Sequence, residues 1–331
     1  MDQFTAHLDR GWDLAQRGDA TGAEASARRA LELEADSPEA HNLLGFSCAL
    51  RGEHDEALDY YVQAITLDDT FLEAILNAAE ICIFPIGDFE SALAYCDDAI
   101  DLVETDDELT DALLLKFDAL MGLGRSEDAL VVCNRIPLGP YENPHHAFLV
   151  GRAKFETGQA DDAEKLLQDA MRRDPDNPEA PYYLAMILDE RGDSARATQA
   201  FLKSLQLDAE LPPFPWSLSR DAFHETAQQA LLLINPRLRA VVDAKELYVA
   251  DAPGVEVVVD GADPRAPILL DDAGDGRGQL LRVFVYQRNI ERLAGNVDRI
   301  AETITATLES EVASAVFGER PPPEGDRGAL N

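Results

Sequence analysis

The histidines and cysteines of this sequence are spaced in ways that do not build a metal site. His145 and His146 are neighbours, and two adjacent imidazoles on a helix point in different directions, so they cannot share one metal ion. We expect this pair to lie at a solvated helix start, and we expect the same of the isolated His41 and His54. The cysteines include no CxxC pair and fit buried apolar positions in a reducing compartment. They are Cys48, Cys82, Cys96 and Cys133.

Near the end of the chain, Glu311 lies between Ser310 and Ser314 in the helical pattern ITATLESEVASAVFG. This stretch resembles the HExxH helix of the small bacterial zincin-like metallopeptidases, in which histidines at the two serine positions face one way, hold Zn²⁺ and leave the glutamate to activate a water molecule. A serine hydroxyl is protonated at neutral pH and is a poor zinc ligand, and no histidine follows His224. The sequence therefore predicts neither metal binding nor catalysis here. Glu311 is then a partly exposed carboxylate or a residual binding group.

The remaining acidic groups have simple interpretations. Residues 271–276 resemble a calcium loop in composition but lack its alternating spacing and closing glutamate, so we expect a surface turn. Asp298 and Glu302 lie one helical turn apart, as on a solvated helix face. The chain shows no nucleophile triad, phosphate-binding loop or dinucleotide fingerprint. The sequence therefore predicts that the protein is not an enzyme and uses no cofactor.

The elements that position these residues follow a repeat of about 34 residues. Six glycines mark it at spacings of 34, 35, 37, 34 and 34, namely Gly18, Gly52, Gly87, Gly124, Gly158 and Gly192. An alanine follows each glycine by five residues, namely Ala23, Ala57, Ala92, Ala129, Ala163 and Ala197. Each period fits two short amphipathic helices joined by a turn, and stacked copies bury the apolar face that one pair cannot bury alone.

This pattern resembles the tetratricopeptide repeat (TPR) family, with six copies over roughly residues 4–208. Leu44 and Gly45 match the leucine and glycine of the family's first helix. The copies depart from the family where residues 83–86 are inserted and where Phe117 replaces the first-helix glycine. We therefore expect a distortion of the superhelix near the third and fourth repeats.

In the TPR family the first helix of each pair lines a concave groove. Carrying the family's positions over to this chain implies a groove with apolar side chains along it and acidic side chains at its flanks. Its members are Leu8, Trp12, Asn42, Phe46, Leu76, Glu80, Leu114, Asp118, Phe148, Arg152, Tyr182, Met186 and Asp189. Any of these side chains could instead pack between neighbouring repeats. Chaperone-binding members hold an acidic peptide terminus with lysine, arginine and asparagine, and no such cluster occurs here. The expected partner is a protein segment that is basic, apolar or amphipathic.

The composition excludes other classes of partner. With 63 acidic and 28 basic residues, the formal net charge is −35, which repels nucleic acid and anionic membranes. A solvated acidic surface would account for the same charge. There is no apolar run near 18 residues and no basic leader at the N-terminus, so we expect no membrane span, no secretory signal and a cytoplasmic location.

The periodic pattern ends in a proline-rich junction at residues 210–218, where we expect Trp216 to cap the last repeat. Beyond it the sequence predicts helices at 219–234, 237–244, 287–294 and 297–317, and strands at 246–250, 255–259, 268–270 and 280–286.

That order of elements resembles the small bacterial zincin-like metallopeptidase family over about residues 219–318. In this family a strand leads into a helical segment like YQRNIERLA, and a later helix carries HExxHHFG. Here residues 310–317 stand at that motif. Only Glu311 survives in register, and the closing Phe317 and Gly318 fall one residue late. The resemblance implies a degenerate metallopeptidase fold that has lost its zinc site.

The sequence thus predicts a mostly α chain. A six-repeat TPR superhelical solenoid occupies residues 1–209, a junction 210–218, a small α+β zincin-like domain 219–318 and a disordered tail 319–331. The predicted function is that of a non-enzymatic bacterial protein-binding protein whose degenerate domain is a second surface or a fixed cap. Two alternatives stay open. One is a chaperone or inhibitor that sequesters a client such as a secreted protein or a protease, and the other is a residual zinc metallopeptidase.

Overall fold

The computed structural model describes residues 2–272 and 281–317. It divides into two compact units, and the division falls inside one helix, between Leu166 and Leu167. The domain boundaries expected from the sequence at residues 209 and 218 stay predictions. The surface turn expected at 271–276 falls largely, and the tail expected at 319–331 falls wholly, outside the described residues.

The first unit is built from short helices that pack on one another in chain order. They are α1 (Gln3–Gln16), α2 (Ala20–Leu33), α3 (Pro38–Leu50), α4 (His54–Leu67), α5 (Leu72–Ile81), α6 (Phe89–Leu102), α7 (Asp106–Gly122), α8 (Ser126–Cys133), α9 (Pro144–Glu156) and the start of α10 (Ala160–Arg173). The odd-numbered helices also contact one another in sequence, from α1 to α3, α5, α7 and α9. Each odd helix is therefore the first of a pair, and the first helices form one row.

The turns within the pairs require glycine. The six turn glycines have φ between 69° and 78°, in the left-handed region that residues with a Cβ rarely adopt. A polar side chain caps the following helix in several pairs; the carboxylate of Asp19, for example, accepts a hydrogen bond from the amide of Gly22. The six alanines that follow the turns are between 0% and 2% exposed. The repeat read from the sequence is therefore confirmed at its turns and at its small residues.

The small residues allow the two helices of a pair to approach closely. A Cβ at Gly45 would lie 2.6 Å from the ring of Tyr61, which is itself only 2% exposed. In the fourth pair, Phe117 takes the place of this glycine and is fully buried. In the fourth pair, therefore, a phenyl ring fills the space between the two helices. In pairs with a small residue at this position, the helices themselves come into contact there.

The insertion in the third pair forms a π-helical turn, Cys82–Ile86, at the end of α5. A π turn holds one additional residue within a helix, which accounts for the spacing of 35 that ends at Gly87. The amide of Asp88 donates to the carbonyl oxygen of Cys82 at 2.8 Å and closes the turn. The predicted insertion is thus found as a local π turn in the third pair, and the expected distortion of the superhelix stays a prediction. All four cysteines of the chain are free and buried.

The second unit continues from α10 with one more helix pair, α11 (Glu179–Glu190) and α12 (Ser194–Glu210). The elements that follow, together with the junction before them, are called the C-terminal module below and cover residues 211–272 and 281–317. They are α13 (Arg220–Leu233), α14 (Pro236–Arg239), β1 (Val242–Ala250), α15 (Val255–Val259), β2 (Ile268–Asp272), β3 (Leu281–Tyr286), α16 (Gln287–Ala294), a 3-10 turn (Val297–Arg299) and α17 (Ile300–Phe317).

The three strands form one small sheet in the order β1-β3-β2. β1 is parallel to β3, with Leu247 opposite Val283, and β2 is antiparallel to β3, with Ile268 opposite Val285. α13 and α17 pack on each other, α13 also contacts β1 and α17 contacts β2. Together they enclose an apolar core that includes Phe223, Leu231, Val283, Val285, Ile304 and Leu308.

Several predictions for this module are corrected. Residues 255–259, expected as a strand, form one turn of helix. Of its residues Val258 alone is buried, while Val255 and Val259 are more than half exposed. Packing against α12 therefore outweighs the strand preference of four valines. The helix expected at 237–244 ends at Arg239, and the chain enters β1 at Val242. Trp216, expected to cap the last repeat, packs against the module's own core.

Within the described residues, no helix combines the length and apolar character needed to cross a membrane.

Candidate functional site

The row of first helices brings equivalent residues of neighbouring repeats together. Trp12 and Phe46 lie 34 positions apart, and their ring centroids are 5.4 Å apart. Asp118 and Arg152 are also 34 apart, and the guanidinium Nη2 donates to the carboxylate Oδ1 at 2.5 Å. In the third pair the equivalent position is Glu80, 34 positions after Phe46. It lies seven residues before its turn glycine, one more than in the other pairs, because the π turn adds a residue between them. In the first unit these five residues form one row, called the ladder below, with aromatic side chains at one end and charged side chains at the other.

Two further contacts join successive first helices, each between one buried and one half-buried residue. Asn77 Nδ2 donates to Asn42 Oδ1 at 3.0 Å, and Nε2 of His146 lies 2.8 Å from Asp111 Oδ1. In each pair the two residues are 35 positions apart and belong to successive first helices. Asn42 and Asn77 occupy equivalent positions, each ten residues before its turn glycine, whereas Asp111 and His146 are offset by one residue. Sequence analysis missed Asn77, Asp111 and the role of His146. The period, corrected for the insertion, would have found the first contact but not the second.

Two histidine predictions are wrong. His146 is only 7% exposed and His41 only 6% exposed, although a solvated helix start was expected for both. The carbonyl oxygen of Ala35 lies 3.4 Å from Nε2 of His41, and Asp111 holds the ring of His146. His145 is exposed, as expected.

The predicted groove residues divide by exposure. Asn42, Leu114 and Phe148 are buried, at 0%, 4% and 5% exposed, so they pack between helices and do not offer their side chains to a partner. Glu80 and Asp189 are exposed. The other members are half-buried with an accessible part, namely Leu8, Trp12, Phe46, Leu76, Asp118, Arg152, Tyr182 and Met186.

The carboxylates of the first helices lie where their negative charge is costly. Partial desolvation raises the pKa of Glu73 above its ordinary value, and the nearby Asn42 side chain opposes the rise. Although the Glu80 side chain reaches solvent, partial desolvation also raises its pKa, and the negative charge of Asp111 adds to the rise. Asp118 has a raised pKa because burial outweighs the favourable contact with Arg152. A cation bound near Glu73 and Glu80 would therefore relieve an unfavourable concentration of charge.

In the second unit, an arginine from the loop between α15 and β2 packs against the first helix of the last pair, α11. The guanidinium carbon of Arg265 lies 4.3 Å from the centroid of the Tyr182 ring, in a cation–π contact. The hydroxyl of Tyr182 donates to Asp263 Oδ2 at 3.0 Å. Tyr182 was expected to line an open groove. The loop between α15 and β2 covers it instead.

Two carboxylates hold that arginine in place. Nη1 and Nη2 of Arg265 donate to the two oxygens of Glu179 at 2.6 and 2.7 Å, and Nε donates to Asp208 Oδ2 at 3.0 Å. Arg292 donates to the other oxygen of Asp208 at 2.6 Å. The side chains of Arg265 and Asp208 are 9% and 7% exposed. Burial would lower the pKa of Arg265, but the two carboxylates hold it above its ordinary value.

Helix α17 carries the three residues at which the sequence analysis predicted a degenerate zinc motif. Ser310 and Ser314 are half-buried and lie one helical turn apart, and Glu311 is exposed. Among the residues that the structure describes, no three histidine, cysteine, aspartate or glutamate side chains are grouped so that they could hold a metal ion.

Comparison with a protein-family model decides what the helix pairs are. The tetratricopeptide repeat model matches residues 8–70 and 149–212. These two stretches of the chain match tetratricopeptide repeats. The stretch between the two matches contains the π turn and Phe117, the departures noted above.

Solved structures support the same fold. A structure of PilF from Pseudomonas aeruginosa is similar to 63% of this chain over 93% of its own length, with 15% identity and a TM-score of 0.54. A structure of PilW, a type IV pilus biogenesis factor, matches 65% of this chain over 94% of its own, with 19% identity and a TM-score of 0.53. The structure of the APC/C hetero-tetramer Cut9–Hcn1 matches 63% of this chain and 41% of its own, with 14% identity and a TM-score of 0.50.

At these identities the likeness establishes the fold alone, a mostly helical TPR-like solenoid. A search of curated proteins gave no match.

Proposed function

We propose that this chain is a non-enzymatic binding protein whose first-helix face, in the first unit, holds a protein segment with basic and apolar residues. Tetratricopeptide repeats generally act as protein-interaction scaffolds. The Cut9–Hcn1 hetero-tetramer is one assembly in which a chain of this fold takes part. The family fold argues for a protein partner, and the residues on the first helices argue for its chemistry.

One observation carries the proposal. Arg265, from a loop of the same chain, packs against the first helix of the last repeat. Its guanidinium lies over the ring of Tyr182 and between the carboxylates of Glu179 and Asp208. An aromatic face with flanking carboxylates is the arrangement that binds a guanidinium most effectively. The chain thus uses a repeat face to hold an arginine within its own fold.

The first unit offers related groups without such an occupant from the described part of the chain. Trp12 and Phe46 give a half-buried aromatic surface at one end of the ladder, and Glu80 gives an exposed carboxylate in the middle. Asp118 is already paired with Arg152, so Glu80 and Glu73, about two helical turns apart on α5, supply the unbalanced charge. Aromatic side chains supply contact area and carboxylates select a positively charged partner.

The C-terminal module enters the proposal as a pseudo-metallopeptidase. Its elements run in the order that the resemblance implies, with β3 leading directly into α16 and the long α17 following. The serines on α17 are poor zinc ligands. We therefore propose a zincin-like fold that serves as a fixed partner of the last repeat and has no catalytic role. The proposed location is the cytoplasm, on the argument from the unpaired cysteines.

The test is affinity capture from cytosol with mass spectrometry, comparing wild type with two variants. Glu80→Lys reverses an exposed charge, and Trp12→Ala/Phe46→Ala removes the aromatic surface; circular dichroism checks that both fold. Leu138→Ala, at a side chain that is 94% exposed and outside the ladder, is the control. Partners with basic and apolar segments should be lost in both variants and kept in the control.

Capture that is unchanged in both variants would exclude the ladder as the binding site. The stoichiometry of the captured complex separates the two non-enzymatic hypotheses. A stable complex of one chain with one client would favour a chaperone or inhibitor, and several weak partners would favour a scaffold.

A further inference from the structure

A cavity in the second unit has a charge opposite to that of the chain as a whole. It has a volume of about 390 Å³ and lies where the proline-rich junction meets the start of α16. Three arginines line it, Arg220, Arg288 and Arg292, against two carboxylates, Asp251 and Glu291. In a protein of net charge −35, a concave site with an excess of cations requires an explanation.

Two of these arginines have no ion pair among the residues that the structure describes. Nη2 of Arg220 donates to the carbonyl oxygen of Val249 at 3.0 Å. Nη1 of Arg288 donates to the carbonyl oxygens of Asp208 and Leu211, the latter at 3.0 Å. Carbonyl oxygens fix the orientation of a guanidinium without cancelling its charge, and each guanidinium keeps further N–H donors. Arg292 differs because Asp208 neutralises it.

The carboxylate at the back of the cavity already has its hydrogen bonds. Glu291 is only 3% exposed and accepts from Ser217 Oγ at 2.8 Å, from the amide of Leu218 at 3.1 Å and from Gln287 Nε2 at 2.9 Å. These neutral groups occupy the carboxylate of Glu291, and among the described residues it forms no ion pair with Arg220 or Arg288. The two arginines therefore remain available to an anion that enters the cavity.

The opposite wall is apolar. Leu211, Pro212, Pro213 and Phe214 form it, and the ring of Phe214 is stacked on Trp216 at a centroid distance of 5.0 Å. A wall of prolines supported by stacked rings is rigid, which lowers the entropic cost of binding an apolar group. A ligand that uses the whole cavity therefore has an apolar part and an anionic part.

We propose that this cavity binds an apolar group that carries one carboxylate, with Arg220 and Arg288 holding the carboxylate. A guanidinium pairs with a planar carboxylate through two parallel hydrogen bonds. Three arginines and two carboxylates line the cavity, and Asp208 balances the third arginine, Arg292. The lining therefore has no surplus of positive charge for the double charge of a phosphate monoester, and a singly charged carboxylate fits it better. Such a group could be a free small acid or the C-terminal residue of a peptide, and the two share the chemistry that the cavity recognises.

Isothermal titration calorimetry on the full chain tests the proposal with three probes. The first is 4-phenylbutanoate with its amide as control. The second is a short peptide ending in leucine, with a free or an amidated C-terminus. The third is inorganic phosphate. We expect the carboxylates to bind and both amides to bind at least about tenfold more weakly, because the charge-assisted hydrogen bonds are lost.

Three variants complete the experiment. Arg220→Gln changes an exposed side chain and should keep the fold, and Arg288→Gln removes the second cation; each should weaken carboxylate binding about tenfold. Arg239→Gln is the matched control, because Arg239 also donates to a backbone carbonyl, that of Leu232, but does not line the cavity. Equal affinity for small acid and peptide would identify a small-acid site, and preference for the peptide would identify a chain terminus. The proposal is wrong if no carboxylate binds, if phosphate binds more tightly, or if Arg220→Gln binds like wild type.

Discussion

Arg265 donates from Nε and Nη2 to the two carboxylate oxygens of Asp208, at 3.0 and 3.3 Å, and both side chains are more than nine-tenths buried. Without Arg265, the buried Asp208 keeps only Arg292 as a cationic partner, and Glu179 loses its guanidinium. Breaking a buried ion pair in this way is strongly destabilising. Arg265→Ala should therefore lower the free energy of unfolding of the second unit by about 3 kcal/mol. Urea titration followed through the fluorescence of Trp216 measures the change.

The control is Arg282→Ala, which removes a pair with Asp271 whose side chains are 36% and 52% exposed. A surface pair of this kind contributes at most about 1 kcal/mol. If the two substitutions cost the same, the buried pair does not hold the C-terminal module on the last repeat.

The second prediction concerns pH. Because burial raises the pKa of Glu73, Glu80 and Asp118 in the folded state, the fold binds their protons more tightly than the unfolded chain does. Their contribution to the free energy of unfolding therefore falls as pH rises from their ordinary values of about 4 through their raised values. Glu80→Gln should raise the stability of the first unit at pH 7 and leave it unchanged near pH 3. Urea titrations at the two pH values measure the effect.

The same carboxylates should make partner binding sensitive to acid. Glu73 and Glu80 lose their charge at a higher pH than ordinary glutamates do, so a basic partner should begin to dissociate above that range. Affinity that stays constant down to the ordinary pKa of glutamate would exclude them from the binding site.

Much of the repeat array could be predicted from sequence because its constraints are local. A turn that needs φ near +76° selects glycine, and two helices in close contact select alanine, so both residues recur with the period. The strand β3 was equally predictable from its alternating pattern. In each case the residue type follows from its immediate surroundings.

What could not be predicted depends on contacts across long stretches of chain. Arg265 and Glu179 are 86 positions apart, and nothing in the pattern around Tyr182 signals that a loop covers it. The contact between the buried His146 and the half-exposed Asp111 was hidden because each residue alone is typical of a helix surface. The helix at 255–259 runs against the preference of its valines, and only its contact with α12 explains it.

The third prediction separates two uses of glycine in one repeat. Gly52 has φ +76°, and a Cβ there would meet only Nε2 of His54, at an ordinary contact distance of 3.9 Å, so Gly52→Ala adds mainly backbone strain, about 1 kcal/mol. Gly45 lies in a helix, and a Cβ there would be 2.6 Å from the ring of Tyr61. Gly45→Ala should cost more, up to about 3 kcal/mol, because Tyr61 is fully packed. Urea unfolding of the two variants should give that order; the reverse order would mean that the pair relaxes easily.

The last prediction tests the degenerate metal site. Wild type should hold no stoichiometric zinc, because a serine hydroxyl does not replace an imidazole as a ligand. Ser310→His/Ser314→His would place two imidazoles one turn apart on α17, with Glu311 between them in the sequence. If the module is a zincin-like fold, this variant should retain zinc through dialysis, as measured by elemental analysis. The control is Ser310→His/Ala315→His, whose second imidazole faces another side of the helix. Equal zinc retention by the two variants, or none by the first, would exclude a latent zinc site and leave α17 as a structural helix of the module.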